Sequence, residues 1–354
     1  MPSATKLTKL IARLSPAGIV IMISLLASGY WFAGLCYSRG YDYFLWLYNA
    51  WLAGQYIWSG DWPNWSPYSG SGHPFFKMAG VSDALLFSIF TKLAGIEVGT
   101  RIYACLLYVV SGTGMYALIR RTGGTTHGAI VGATVFVFSW FLTYTVYYQT
   151  YLNNFLSYAL MPWGGLLFIQ AIGTGSRSAL LGAAGIVFIS ISSNAQVSIR
   201  LLLFCVPFAY VETVLCRGGH WRKWFEYSAW IVLLALFWSA FLVYPALMLR
   251  DEVLHLVRDN PPVRPWDVLF GIPLLGFNFA WVRLWGDGFL SSEIMAKVVH
   301  TDYIGLSSLG IALLGLGIWR RERRVLRLGL LLAGYWVLYF LVVPQFKASA
   351  WVGI

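Results

Sequence analysis

Long apolar runs separated by short polar segments recur along the whole chain. Each run approaches the ~20 residues that a helix needs to cross the hydrocarbon core of a bilayer. The runs lack the alternation of polar and apolar positions that is typical of a membrane β-strand. The pattern predicts an all-α polytopic transmembrane bundle of about nine spans in a single membrane domain, residues 1–354, with spans at 16–38, 98–119, 128–148, 155–173, 179–195, 198–216, 227–248, 303–319 and 326–343.

Two longer polar and aromatic segments interrupt this series on the predicted outer side. Residues 39–97 form the first outer loop, and residues 249–302 form the second. Within the first loop, residues 42–58 are rich in Trp and Tyr, which favour the headgroup level of a membrane. The sequence therefore predicts an interfacial helix there, then a turn-forming stretch rich in Gly and Pro. A short apolar helix is predicted over residues 84–96.

Composition and charge predict how the bundle is oriented in the membrane. The chain is 58% hydrophobic and 11% charged, and its formal net charge is +11. With the N-terminus inside, the whole excess falls in the inner segments, as the positive-inside rule expects. Localisation in the plasma (cell) membrane follows, and the charge implies contact with membrane lipids rather than with nucleic acid. The inner basic residues are Lys6, Lys9, Arg13, Arg120, Arg121, Arg177, Arg217, Arg222, Lys223, Arg320, Arg321, Arg323, Arg324 and Arg327, against Glu212, Glu226 and Glu322.

Motifs for a cofactor or a metal are not found in the sequence. The four cysteines form no CxxC pair, and all of them lie in or near apolar runs, which is typical of buried structural cysteine. The chain also has no phosphate-binding loop, no zinc-protease motif and no dinucleotide fingerprint. The sequence thus predicts neither a cofactor nor a metal site. The cysteines are Cys36, Cys105, Cys205 and Cys216.

The first outer loop carries a family resemblance. After Asp42 and the aromatic stretch comes the run SGDWPNWSPYSGSGHPFF. It resembles the polytopic glycosyltransferases of the GT-C superfamily, particularly the bacterial YfhO-like membrane proteins. Three later stretches, MYALIRRTGG, YALMPWGGLL and YIGLSSLGIALLG, look similar to the same family. The matching positions of the loop are Ser59, Gly60, Pro63, Trp65, Pro67, Tyr68, Gly70, Gly72 and Pro74.

The resemblance implies an enzyme that moves a sugar from a polyprenyl-phosphate donor to a glycan, lipid or protein acceptor at the outer membrane face. It also implies that Asp42 is the catalytic carboxylate. A general base in this role takes the proton from the acceptor hydroxyl. The position of Asp42 ahead of a predicted helix is equally typical of a helix N-cap.

Six further residues are candidates for contact with the sugar or the phosphate. Asp61, His73 and Lys77 lie in or just after the turn-forming stretch, where an ordinary solvated loop is the alternative. Lys347 is either a phosphate contact or a terminal anchor at the interface. Asp83, close behind the same loop, is interpreted as a cap of the short helix.

Arg101 and Arg200 complete the candidate set because an ionisable residue within a membrane span is a functional candidate by default. Arg200 is suited to bidentate binding of a lipid phosphate. Alternatively it snorkels to the interface or pairs with an acidic residue. Arg101 has the simpler alternative of an ion pair with Glu97, four residues earlier.

A second class of protein competes with the enzyme: a non-catalytic transporter, or a lipid-handling or scaffold protein. A transporter is expected to have charges that face one another near the bilayer midplane, and helices broken at matching positions in two halves. The sequence lacks such symmetry, and its charged residues cluster towards the predicted outer face. This distribution favours an enzyme that works at the interface.

Overall fold

The computed structural model describes residues 15–29, 48, 51–52, 54–56, 58–60, 65–66, 73–74, 81–138, 152–193 and 195–248. In this part of the chain the long elements are all helices, so the predicted all-α class is confirmed for it. A π-helical turn, Val211–Cys216, continues the sixth helix, and one minimal antiparallel pairing joins β1 (Trp65–Ser66) to β2 (His73–Pro74). The helices are α1 Pro16–Ala27, α2 Val81–Arg121, α3 Thr126–Val137, α4 Leu152–Thr174, α5 Arg177–Ser193, α6 Ala195–Tyr210 and α7 Trp221–Met248.

The helices α1 to α7 fall, in order, on the first seven predicted spans. Two segments, Ser82–Arg121 and Phe155–Thr174, are long and apolar enough to cross a membrane by length and composition. These two segments weakly indicate a membrane protein. The predicted spans 303–319 and 326–343 and the second outer loop, 249–302, lie outside the described residues. The count of nine spans and the inside position of the N-terminus therefore stay predictions.

A sharp bend divides α2 into a first limb (residues 81–94) and a second limb (residues 96–121). Gly95 at the bend has φ 76° and ψ 167°, a conformation that essentially only glycine adopts. Because a straight helix would hold residues 83 and 103 ~30 Å apart, the hydrogen bond between Asp83 and Tyr103 requires the limbs to fold back on each other. The limbs correspond to the predicted short helix over 84–96 and the predicted span over 98–119.

Local sequence accounts for the helix starts at one end of the bundle. The Ser15 hydroxyl accepts a hydrogen bond from the Gly18 amide at 3.1 Å, and Pro16 occupies the first turn of α1, where no amide donor is needed. Thr125 caps α3 in the same way, accepting from the Gly128 amide at 3.1 Å. The turn before it closes α2, with the Gly124 amide donating to the Ile119 carbonyl at 2.9 Å.

Glycine allows the helices to approach closely, as in many membrane bundles. A Cβ atom at Gly112 would overlap the Ser24 hydroxyl of α1, and one at Gly114 would lie 2.6 Å from the Trp163 ring of α4. The Trp163 indole N–H donates to the Val110 carbonyl at 2.9 Å across the same contact. These contacts set α1, α2 and α4 side by side.

Three chain reversals meet at one end of the bundle, which we call the basic end (residues 120–125, 175–177 and 217–223). Arg217 Nη2 donates to the Arg121 carbonyl at 3.0 Å, which joins the first reversal to the third. A Cβ atom at Gly175 would lie 3.8 Å from Lys223 Nζ, so the second reversal lies beside the third. Arg217 also pairs at 3.0 Å with the fully buried Glu212. Basic residues predicted to share one side of the membrane therefore gather at one end of the fold.

Candidate functional site

The end of the bundle opposite the basic end is the far end. It holds the start of the first limb, the Gly95 bend, the start of α4, the end of α5 and the start of α6. The site residues predicted for the outer membrane face are expected at this end. Of the predicted site residues, Asp42, Asp61, Lys77 and Lys347 lie outside the described residues.

The predicted loop candidate His73 lies in β2, where its backbone pairs with that of Ser66. Trp65 pairs with Pro74 in the same ladder. The middle of the Pro/Gly-rich stretch, at Trp65–Ser66, is therefore held to its end, at His73–Pro74, as expected for a turn-forming segment. Arg200 lies in the second turn of α6, near the far end of that helix.

Arg101 makes the simpler of its two predicted contacts. Its guanidinium Nη2 lies 2.5 Å from Glu97 Oε1, at the i, i+4 spacing that helices favour for ion pairs. The side chains of Arg101 and Glu97 are 26% and 61% exposed. A pair this open contributes little to stability, and the geometry favours the ion-pair interpretation over a phosphate contact.

The first-loop helix is represented by residues 48, 51–52, 54–56 and 58, all of which are helical. Leu52 is buried against the first limb, and a Cβ atom at Gly54 would lie 2.9 Å from the Ser88 Cβ. Trp51 and Trp58 are 42% and 50% exposed. This helix therefore has a buried apolar side on the far end and an exposed indole side, and its position at a membrane interface stays a prediction.

Asp83 is the residue whose environment the sequence did not reveal. It does lie in the first turn of α2, but its side chain is fully buried and not an exposed cap. Oδ1 accepts a hydrogen bond from the Tyr103 hydroxyl, whereas Oδ2 has no hydrogen-bond partner among the described residues. The Phe87 and Phe90 rings lie 5.7 and 5.8 Å from the Tyr103 ring. The feature of the sequence that could have indicated its burial is the position of this carboxylate directly before the apolar run ALLFSIF.

Serine hydroxyls surround this level of the bundle. The Ser82 hydroxyl contacts the Ser192 hydroxyl, which ties the first limb to α5. Three more serines are completely buried, and their hydroxyls find no hydrogen-bond partner within the described ranges. Together these residues form a set that we call the far-end polar layer: Ser82, Asp83, Tyr103, Ser157, Ser190, Ser192 and Ser193.

Comparison with known proteins gives no match: no family model, no curated protein and no solved structure is similar to this chain.

Proposed function

We propose that this protein is a GT-C type membrane glycosyltransferase that transfers a sugar from a polyprenyl-phosphate donor to an acceptor at the outer membrane face. The observation that carries the proposal is the position of the aromatic first-loop helix on the far end, with Leu52 buried and Trp51 and Trp58 exposed. The same loop carries the residues that resemble the GT-C family. Asp42 belongs to the same predicted segment, shortly before Tyr48 in the sequence.

In the proposed reaction, Asp42 takes the proton from the acceptor hydroxyl as the acceptor oxygen attacks the anomeric carbon. The bond from that carbon to the phosphate oxygen breaks, and the polyprenyl phosphate leaves with the bonding electron pair. Arg200, Lys77 and Lys347 are the basic residues proposed to offset its negative charge. The exposed indoles hold the lipid part of the donor at the interface.

The test is sugar transfer from radiolabelled polyprenyl-phosphate sugars by the purified protein, with wild type beside Asp42→Asn. Removing a general base lowers the rate by ~10²–10⁴-fold, so we expect turnover to fall at least about a hundredfold. Glu97→Gln, a change in an exposed ion pair, is the matched control and should leave turnover unchanged. Wild-type turnover in a folded Asp42→Asn variant would remove Asp42 from the mechanism.

A transporter is the second candidate, and the burial of Asp83 within a candidate membrane segment favours it. Buried carboxylates within membrane-spanning segments are typical of proton and ion pathways. Failure of every donor to support turnover, together with uptake of a solute or ion into proteoliposomes, would establish this function in place of the enzyme.

A further inference from the structure

Buried polar atoms without partners concentrate in the far-end polar layer. In the part of the chain that the structure describes, Asp83 Oδ2 and the Ser157, Ser190 and Ser193 hydroxyls have no hydrogen-bond partner. Folded proteins pair nearly all of their buried polar groups, because an unpaired buried group destabilises the fold. Ser228 has the same property, but it lies near the start of α7, towards the basic end. The layer therefore has more hydrogen-bonding capacity than its described neighbours use.

The residues of the layer come from three helices and lie at similar heights in the bundle. At ~1.5 Å per residue, Tyr103 lies about 27 Å, Ser157 about 26 Å, Ser193 about 24 Å and Ser190 about 20 Å from the basic-end termini of their helices. The hydrocarbon core of a bilayer is ~30 Å thick. If the basic end marks one boundary, the layer lies just inside the opposite boundary, at the level where the first-loop helix packs.

The chemistry of the layer suits a neutral ligand with several hydroxyl groups. Serine hydroxyls donate and accept, as sugar hydroxyls do, and the Asp83 carboxyl oxygen offers an acceptor to a hydroxyl donor. Among the side chains that the structure describes, the layer has no Lys or Arg, so it suits a neutral ligand better than a phosphate. It also does not suit a tightly held metal ion, since no group of three or more His, Cys, Asp or Glu occurs among the described residues.

We propose that the far-end polar layer is the subsite for the sugar ring of the donor, with Asp83 Oδ2 accepting a hydrogen bond from a sugar hydroxyl. The proposal rests on the glycosyltransferase function. It assigns the layer to the sugar ring alone, and the phosphate of the donor binds outside the layer. Asp83, Ser157, Ser190 and Ser193 are fully buried, so the sugar enters when the first limb moves about Gly95. The Asp83–Tyr103 and Ser82–Ser192 contacts hold that limb closed.

The experiment compares binding of polyprenyl-phosphate glucose, mannose and galactose with binding of sugar-free polyprenyl phosphate to the full chain in nanodiscs. We expect wild type to prefer at least one sugar lipid over the bare lipid severalfold, because the bare lipid leaves the hydrogen-bonding groups of the layer unpaired. Asp83→Asn keeps the acceptor for Tyr103 but replaces Oδ2 with an amide nitrogen. It should lose the sugar preference and keep its affinity for the bare lipid.

Two further variants separate binding from a purely structural role. Gly112→Ala crowds the contact between α1 and α2 outside the layer, so it should lower thermal stability but retain the sugar preference. Ser228→Ala removes a buried unpartnered hydroxyl outside the layer and should change neither property. If Asp83→Asn does not fold, the double variant Ser190→Ala/Ser193→Ala takes its place, and the sugar preference should fall severalfold.

Three results would overturn the proposal. An undiminished sugar preference in Asp83→Asn would remove the subsite but leave the enzyme, which the Asp42→Asn turnover assay judges separately. Stabilisation of wild type by Na⁺ that disappears in Asp83→Asn would identify a cation site instead. Equal binding of sugar-bearing and bare lipids by wild type would also exclude the subsite. If wild type in addition turns over none of the donors, the glycosyltransferase function is excluded too.

Discussion

Single glycines decide how closely the helices of this bundle approach. Gly112 faces the Ser24 hydroxyl, and the methyl groups of Val20 and Val137 lie 3.3 and 3.2 Å from the position of its missing Cβ. The glycine therefore marks the point where α1, α2 and α3 meet. The sequence shows a glycine in an apolar span, but only the packing distinguishes it from glycines that contact nothing.

Gly112→Ala is expected to destabilise the protein because the new methyl group overlaps Ser24 and crowds two valines. Overpacking of this kind costs ~1–3 kcal/mol. The measurement is the apparent melting temperature in detergent. Gly185→Ala is the control, since a Cβ there meets nothing within 4 Å and alanine is the better helix former. A melting temperature in Gly112→Ala equal to that of the control would contradict the packing at this point.

At the scale of elements, the bend in α2 positions the candidate site. The first limb brings Asp83 and Ser82 against the second limb and α5, and its Ser88 supports the first-loop helix at Gly54. The sequence predicted two helices here with nearly these bounds, because Gly95 and the polar residues after it interrupt the apolar run. It did not predict that the first limb would fold back, since that depends on contacts with the second limb.

Gly95→Ala is expected to strain the bend through the backbone alone. No atom lies within 4 Å of the position of the new Cβ, so the cost comes from φ +76° and amounts to ~1–3 kcal/mol. The apparent melting temperature should fall, and Gly173→Ala is the matched control, because its site is equally open but has no positive φ. Equal stability of the two variants would show that the bend does not need a glycine.

At the scale of the whole molecule, charge separates the two ends of the bundle. Arg121, Arg217 and Lys223 lie on reversals that contact one another at the basic end. The first-loop helix and Asp83 lie at the far end. The positive-inside rule predicts that the basic end faces the inner side of the membrane.

Cysteine labelling in intact cells tests this orientation. In a chain whose four native cysteines are replaced by alanine, His220→Cys at the basic end should react with a membrane-impermeant maleimide only after the membrane is opened. Ser59→Cys at the far end should react at once, since both positions are exposed in the fold. The reverse pattern would invert the predicted topology and place the proposed chemistry on the inner face.

Within the described residues, the sequence by itself determined the helical class, the approximate positions of seven helices and the gathering of basic residues at one end. These are local properties, since they depend on the length of an apolar run and on the charges beside it. Only the tertiary structure decided the role of Asp83. Its partner Tyr103 lies 20 residues away, and the neighbouring Ser82–Ser192 contact spans 110 residues. Such pairings arise from the way helices fold back and pack, which no local pattern of apolar and polar residues records.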